Sequence, residues 1–305
     1  MEFFVSWTDS DPEYPIFDAN CSLLVSPPVF SRAFRLTRLA VMPRRIMVDS
    51  GAYTLRKRFG DEFTQQQLFE WQINMLDGVD LDRTQVLLSH LDQPLESGLP
   101  RAEAYRRMEL TIARAWDFLT LAQRSGMDKK VELVGVIQGY DADSIRWCSR
   151  ELKRLGFHRF GIGSLAMLFN QGEIETRIKA ALQEVGQGLH VFGISSIPVL
   201  RALRDLGVAS VDSSRPVKEA MFYVLLYSNP FRRFALAGRR RQDMGSKQLK
   251  RALPCPCPVC RVNPRRMFGV GSKRFTNYRA VHNYYHLKCE VSGCAAWAEP
   301  LGGEN

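Results

Sequence analysis

Short apolar runs alternate with longer stretches of helical periodicity over the first 240 residues. The runs LLVS (23–26), RIMVDS (45–50), QVLLSHLD (85–92), VELVGVIQG (131–139), RFGIGSL (159–165), HVFGIS (190–195), ASVDSS (209–214) and RRFALAG (232–238) have the length and apolar content of strands. Between them QQQLFEWQINML, AEAYRRMELTIARAWDFLTLAQRSG, DSIRWCSRELKRLG, EIETRIKAALQEVG and PVLRALRDLG are amphipathic at helical spacing, and several end in glycine, the residue suited to a helix C-terminus. Strands alternating with helices predict βα units and a parallel sheet. Eight runs fit an α/β (β/α)8 TIM barrel of about 250 residues. A doubly wound open sheet is the alternative, but no G-x-G-x-x-G follows the first runs, so its dinucleotide-binding form lacks support.

Composition adds little until charge is mapped along the chain. The start, MEFFVSWTDSDPEYP, lacks the basic and apolar regions of a secretory leader. No apolar stretch approaches the roughly 20 residues of a membrane span. A cytoplasmic protein with reduced thiols and no membrane partner is expected. The net charge of +10 is concentrated: residues 231–290 hold 15 Lys/Arg against Asp243 and Glu290, whereas the other 245 residues hold 27 basic and 30 acidic groups. Basic and aromatic residues interleave there: Phe231, Arg232, Arg233 and Phe234, then Arg239, Arg240 and Arg241, then Lys273, Arg274, Phe275, Tyr278 and Arg279. Such a surface suits a polyanion, most naturally nucleic acid. The expected organisation is a catalytic barrel over 1–240 and a basic, metal-binding subdomain over 241–305.

Barrel chemistry sits at the C-terminal ends of strands. Asp49, His90 with Asp92, Gln138 and Asp212 fall at such ends, beside the glycine-flanked turns DSGAY and IQGYD. A single aspartate there is commonly a helix N-cap, whereas three carboxylates converging on one mouth suggest chemistry. Metal-dependent hydrolysis competes for such a site, but it favours several histidine ligands and the chain has five in all. Two carboxylates without metal suit displacement at a sugar carbon, one as nucleophile and one as acid/base. Tyr53 and Phe192 lie near in sequence and have the faces to hold a flat base.

The stretch PCPCPVC (254–260) sets Cys255, Cys257 and Cys260 in a proline-stiffened turn, with His282, His286, Cys289 and Cys294 further on. In a reducing compartment this reads as a structural Zn2+ site. By chemistry alone any of the four later residues completes a tetrahedron.

The spacing C-x-C-x2-C-x25-H, ending at His286, resembles the zinc site of the tRNA-guanine transglycosylase superfamily. VDSGAY (48–53), LDQP (91–94), GVIQG (135–139), FGIGSLA (160–166), HVFG (190–193) and VDSSR (211–215) are similar to its barrel motifs, in order. The resemblance implies a barrel enzyme with Asp212 as nucleophile at C1′ of the sugar and Asp49 as general acid/base. It places Asp92 and Gln138 on the edge of the base, Ser164 and Leu165 as backbone contacts, and Tyr53 and Phe192 on its two faces. Zinc would be held by Cys255, Cys257, Cys260 and His286. Ala52 and Ser164 stand where the tRNA enzymes carry glycine, and Arg215 follows the nucleophile at a shifted position. These departures look more like the DNA-modifying branch, which exchanges guanine in DNA for a 7-deazaguanine such as the 7-cyano form. The implied partners are therefore DNA, the free base, possible helper proteins of a modification system and a possible second copy of the chain. A tRNA-exchanging enzyme and a catalytically silent nucleic-acid-binding protein are the alternatives.

Overall fold

In the computed structural model, which describes residues 1–165, 168, 170–228, 230–236 and 255–293, eight parallel strands close on themselves. They are β1 (Glu2–Ser6), β2 (Ser22–Val25), β3 (Arg45–Val48), β4 (Gln85–Ser89), β5 (Glu132–Ile137), β6 (Arg159–Ile162), β7 (Leu189–Val191) and β8 (Ser210–Ser213). The seam joins the first strand to the last, Phe4 standing opposite Asp212. The expected barrel is present, but its strands differ from the expected eight. EFFVS at the start of the chain supplies β1, whereas RRFALAG contributes β10 (Arg232–Ala235), which pairs antiparallel with β9 (Val224–Tyr227) outside the barrel. Apolar periodicity marks both segments as strands and says nothing about which sheet each one joins.

Alternation of side chains divides the barrel strands between two cores. Phe4, Leu24, Met47, Leu87 and Val134 form an inner cluster, while Phe3, Val5, Leu23, Val25, Ile46 and Val48 belong to the larger core shared with the helices. At the N-terminal ends of the strands the residues are polar and paired. Ser22 donates to Glu2 at 2.7 Å, Arg45 also bonds Glu2, and Gln85 and Arg159 both bond Glu132.

The helices are α1 (Ala52–Phe59), α2 (Gln65–Leu76), α3 (Arg101–Ser125), α4 (Ala142–Leu155), α5 (Gln171–Val185), α6 (Ile197–Asp205), α7 (Arg215–Met221), α8 (Pro258–Val262) and α9 (Lys273–Ser292). Local sequence sets several of their ends. Thr64 with Gln67, and Asp141 with Ser144, form capping boxes. Gly126 and Gly156 take left-handed conformations after α3 and α4. Helix α9 packs against α7, α6 and β1 and so covers the seam of the barrel. Buried Arg279 on α9 ties the region together, donating to the carbonyls of Ala220 (3.0 Å), Met267 (3.0 Å) and Gly269 (2.8 Å). Among the described residues no helix is long and apolar enough to cross a membrane.

Candidate active site

The C-terminal ends of the strands surround a cavity of about 440 Å³ lined by Asp49, Asp92, Gln138 and Asp212, with Tyr53, Gly163, Ser164 and Phe192. Each carboxylate accepts a hydrogen bond from a serine of another strand or of the loop before it. Ser26, after β2, donates to Asp49 Oδ2 at 2.9 Å, and Ser50 donates to Asp92 Oδ1 at 2.9 Å. Ser6, the last residue of β1, donates to Asp212 Oδ2 at 2.9 Å. Asp212 Oδ1 accepts the Gly193 N–H at 2.7 Å, with His190 Nε2 at 3.4 Å.

These groups are electrostatically coupled. Burial, reinforced by the Asp212 carboxylate, raises Asp49 above the usual aspartate range. Burial and then the Asp49 charge push Asp92 up to about 6, against the hydrogen bonds from Ser50 and Gln138. Gln138 Nε2 donates to Asp92 Oδ2 at 2.6 Å, leaving the buried Oε1 with no hydrogen-bond partner. That orphan acceptor borders the cavity, and an unsatisfied buried amide oxygen costs about 1–3 kcal/mol unless a ligand supplies a donor. Gly163 allows this arrangement, because a Cβ there would lie 2.5 Å from Gln138 Nε2.

The remaining expected site residues are distributed unevenly. Tyr53 (57% exposed) and Phe192 both line the cavity, Phe192 resting on the inner barrel cluster. Ser164 adopts φ 59°, and its hydroxyl accepts the Leu95 N–H at 2.8 Å. The left-handed conformation costs a non-glycine residue about 1 kcal/mol, and the bond to Leu95 helps offset it while joining the LDQP loop to the turn after β6. Leu165 points into the core and does not line the cavity. His90, beside Asp92, is also directed elsewhere: its Nε2 accepts the Val136 N–H at 2.8 Å between β4 and β5. Arg215 bonds Glu219 and the Ser195 carbonyl and lies 5.3 Å from the Phe231 ring centre. Lys273 and Arg274 open α9, Arg274 donating to Tyr278 Oη at 2.7 Å. Arg239, Arg240 and Arg241 lie outside the described residues.

The cysteine turn folds as its sequence suggests, and both His282 and His286 of α9 approach its sulfurs. Pro258 opens α8, and the Cys257 sulfur accepts the Cys260 N–H at 3.4 Å. The ligand atoms of Cys255, Cys257, Cys260 and His282 all lie within 4.8 Å of one another, and all four residues are buried. His282 Nδ1 is 3.5, 3.4 and 3.6 Å from the three sulfurs. A tetrahedral zinc with bonds of about 2.3 Å to sulfur and about 2.1 Å to nitrogen requires S···N edges of about 3.6 Å, so the donor set fits zinc. His286 lies one helical turn further along α9. Its Nδ1 accepts the Ser228 N–H at 3.1 Å, which leaves the proton on Nε2, 3.1 Å from the Cys255 sulfur. This arrangement groups His282 with the three cysteines and sets His286 beside Cys255.

Barrel, acid-lined mouth and Cys3His group together define a (β/α)8 protein with a cluster able to hold a metal beside the helix that covers its seam. The chain belongs to the queuine tRNA-ribosyltransferase family, whose profile matches residues 27–295. It is similar to the tRNA-guanine(15) transglycosylase of Thermococcus kodakarensis, at 25% identity over 81% of this chain and 39% of that one. It is also similar to the Methanocaldococcus jannaschii tRNA-guanine(15) transglycosylase, at 29% over 79% of this chain and 35% of that one. The DNA-guanine transglycosylase of Salmonella montevideo is 28% identical over 57% of this chain and 41% of its own length. The matched region thus spans less than half the length of each of these relatives.

Proposed function

We propose that this chain is a DNA-guanine transglycosylase, exchanging guanine in DNA for a 7-deazaguanine base such as 7-cyano-7-deazaguanine. The observation that carries this reading is the juxtaposition of Asp49 and Asp212 with the acceptor pair Asp92 and Gln138 in one cavity. Guanine presents donors at N1 and at its exocyclic amine, which suit the Asp92 carboxylate and the orphaned Gln138 Oε1. Tyr53 and Phe192 would then cover its faces.

In the first half of the reaction Asp212 attacks C1′, a C–O bond forms, and the C1′–N9 bond breaks with its electron pair leaving on N9. Asp49, whose proton burial and the charge on Asp212 hold more tightly than usual, delivers the proton that guanine takes away. In the second half the incoming base gives its N9 proton to Asp49, its N9 attacks C1′, and Asp212 departs as carboxylate. Two displacements retain the configuration at the sugar. Zn2+ on Cys255, Cys257, Cys260 and His282 is structural in this reading. Residues 241–305 then join that metal site to the basic segment as a nucleic-acid-binding subdomain. In a duplex the target guanine is flipped from the stack, at a cost of a few kcal/mol.

Ala52 and Ser164, at positions of family glycines, and the likeness to the Salmonella protein favour DNA. The names of the archaeal relatives favour a second reading, exchange in tRNA. Purified protein given labelled 7-cyano-7-deazaguanine with double-stranded DNA and tRNA in parallel separates them. Label in DNA supports the first reading, label in tRNA alone replaces it with the second, and label in neither overturns both.

The Asp92 assignment adds a pH dependence. Asp92 binds guanine as a carboxylate and titrates at about 6, above its ordinary range, so protonation removes its acceptor as pH falls. Calorimetric affinity for free guanine is expected to fall below about pH 6 and to level off above it. Asp92→Asn should flatten the profile, and a flat wild-type profile would contradict the assignment.

A further inference from the structure

His190 lies on β7, beneath the mouth and 3% exposed, with ring contacts to Phe192 at 4.5 Å and Phe4 at 5.6 Å. Such an apolar setting penalises an imidazole unless its nitrogens are hydrogen-bonded. Nδ1 is 2.8 Å from Ser210 Oγ and Nε2 is 3.4 Å from Asp212 Oδ1. The partners dictate the tautomer of the neutral ring. A carboxylate accepts only, so the proton sits on Nε2, and Nδ1 accepts from the Ser210 hydroxyl. Strand register supports the chain of bonds, because His190 stands directly opposite Ser210, two residues before Asp212 on β8.

The two oxygens of Asp212 are therefore unequal. Oδ1 faces two N–H donors of fixed direction, His190 Nε2 and the Gly193 amide at 2.7 Å, whereas Oδ2 accepts from the rotatable hydroxyl of Ser6. We infer that the Ser210–His190 pair is the positioning device of the nucleophile, pinning Oδ1 and presenting Oδ2 as the atom that attacks C1′. The inference rests on the transglycosylase reading. When Oδ2 forms the ester bond, Oδ1 becomes its carbonyl oxygen and keeps both donors. When the second base attacks and the C1′–Oδ2 bond breaks, its electron pair returns to the carboxylate against the same two donors. One arrangement thus serves both halves of the exchange.

Two measurements test it. In the full-length protein, imidazole 15N shifts of His190 should report the Nε2–H tautomer and should move in Asp212→Asn. In exchange assays, His190→Leu should lower kcat by up to about 100-fold, the scale of a misplaced reacting group, with KM for the nucleic acid unchanged. Ser210→Ala, a smaller change that guards against misfolding, should lower kcat less, again with KM unchanged. An Nδ1–H tautomer, or unaltered kcat in a folded His190→Leu variant, would overturn the inference. Absence of exchange in the wild type would instead overturn the transglycosylase reading, and the 15N result would still decide whether His190 holds Asp212.

Discussion

On the transglycosylase reading, Asp212→Asn is expected to abolish base exchange, by more than about a thousandfold, while nucleic-acid affinity stays at the wild-type level. The substitution is close to isosteric and its surroundings tolerate it. The amide oxygen can still accept the Gly193 N–H, and the amide nitrogen can donate to the Ser6 hydroxyl in place of the bond that Asp212 Oδ2 accepts. What is lost is the anionic oxygen able to form an ester with C1′. Incorporation of labelled base, paired with a filter-binding isotherm on the same nucleic acid, separates chemistry from affinity. Exchange that persists in the variant would take the nucleophile's role from Asp212 and leave Asp49 and Asp92 to be tested in turn.

The second large effect concerns the metal centre. Metal analysis should find about one zinc per chain, and Cys257→Ser should abolish it. Zinc binding linked to folding involves a free energy of many kcal/mol. Loss of even a few of these lowers the melting temperature by roughly 10 °C in a chain of this size. The drop should exceed the local unfolding of a small appendage, because the helix that carries His282 also packs on α7 and β1. The histidines are separable. His282→Ala should lose the metal, whereas His286→Ala should keep it with affinity weakened about 10–100-fold, as for other groups that support a ligand. The opposite pattern would make His286 the ligand and His282 its neighbour. Protein purified without zinc that melts at the wild-type temperature would contradict a structural metal.

Much of the barrel was legible because parallel strands buried on both faces leave apolar runs, and amphipathic helices between them leave a different period. The mouth was legible for a related reason: in this architecture a polar residue at the end of a run is directed to one common place, which is how Asp49, Asp92, Gln138 and Asp212 were found together. Pairing partners were not legible. EFFVS carries an apolar run like the others, but only pairing with β8 shows that it closes the barrel and brings Ser6 to Asp212 across 206 positions. β10 fits the barrel pattern equally well, because nothing in four residues distinguishes a barrel strand from one arm of a hairpin. Ser26, Ser50 and His190 carry no local signal, since each matters only through the neighbour that register supplies. His282 and His286 share a face of α9 four residues apart. The choice between them turns on the placement of that helix, which spacing alone does not give.

The pairing of β1 with β8 also constrains the order in which the protein assembles. Phe4 meets Asp212 only once the whole of the barrel between them has been made, and closing so long a loop carries a high entropic cost before its contacts repay it. During synthesis the earlier βα units can pack as they emerge, but the strand bearing Asp212 gains its second neighbour only at closure. Closure is thus what completes the mouth, and a chain in which β1 and β8 have not met would hold Ser6 away from Asp212.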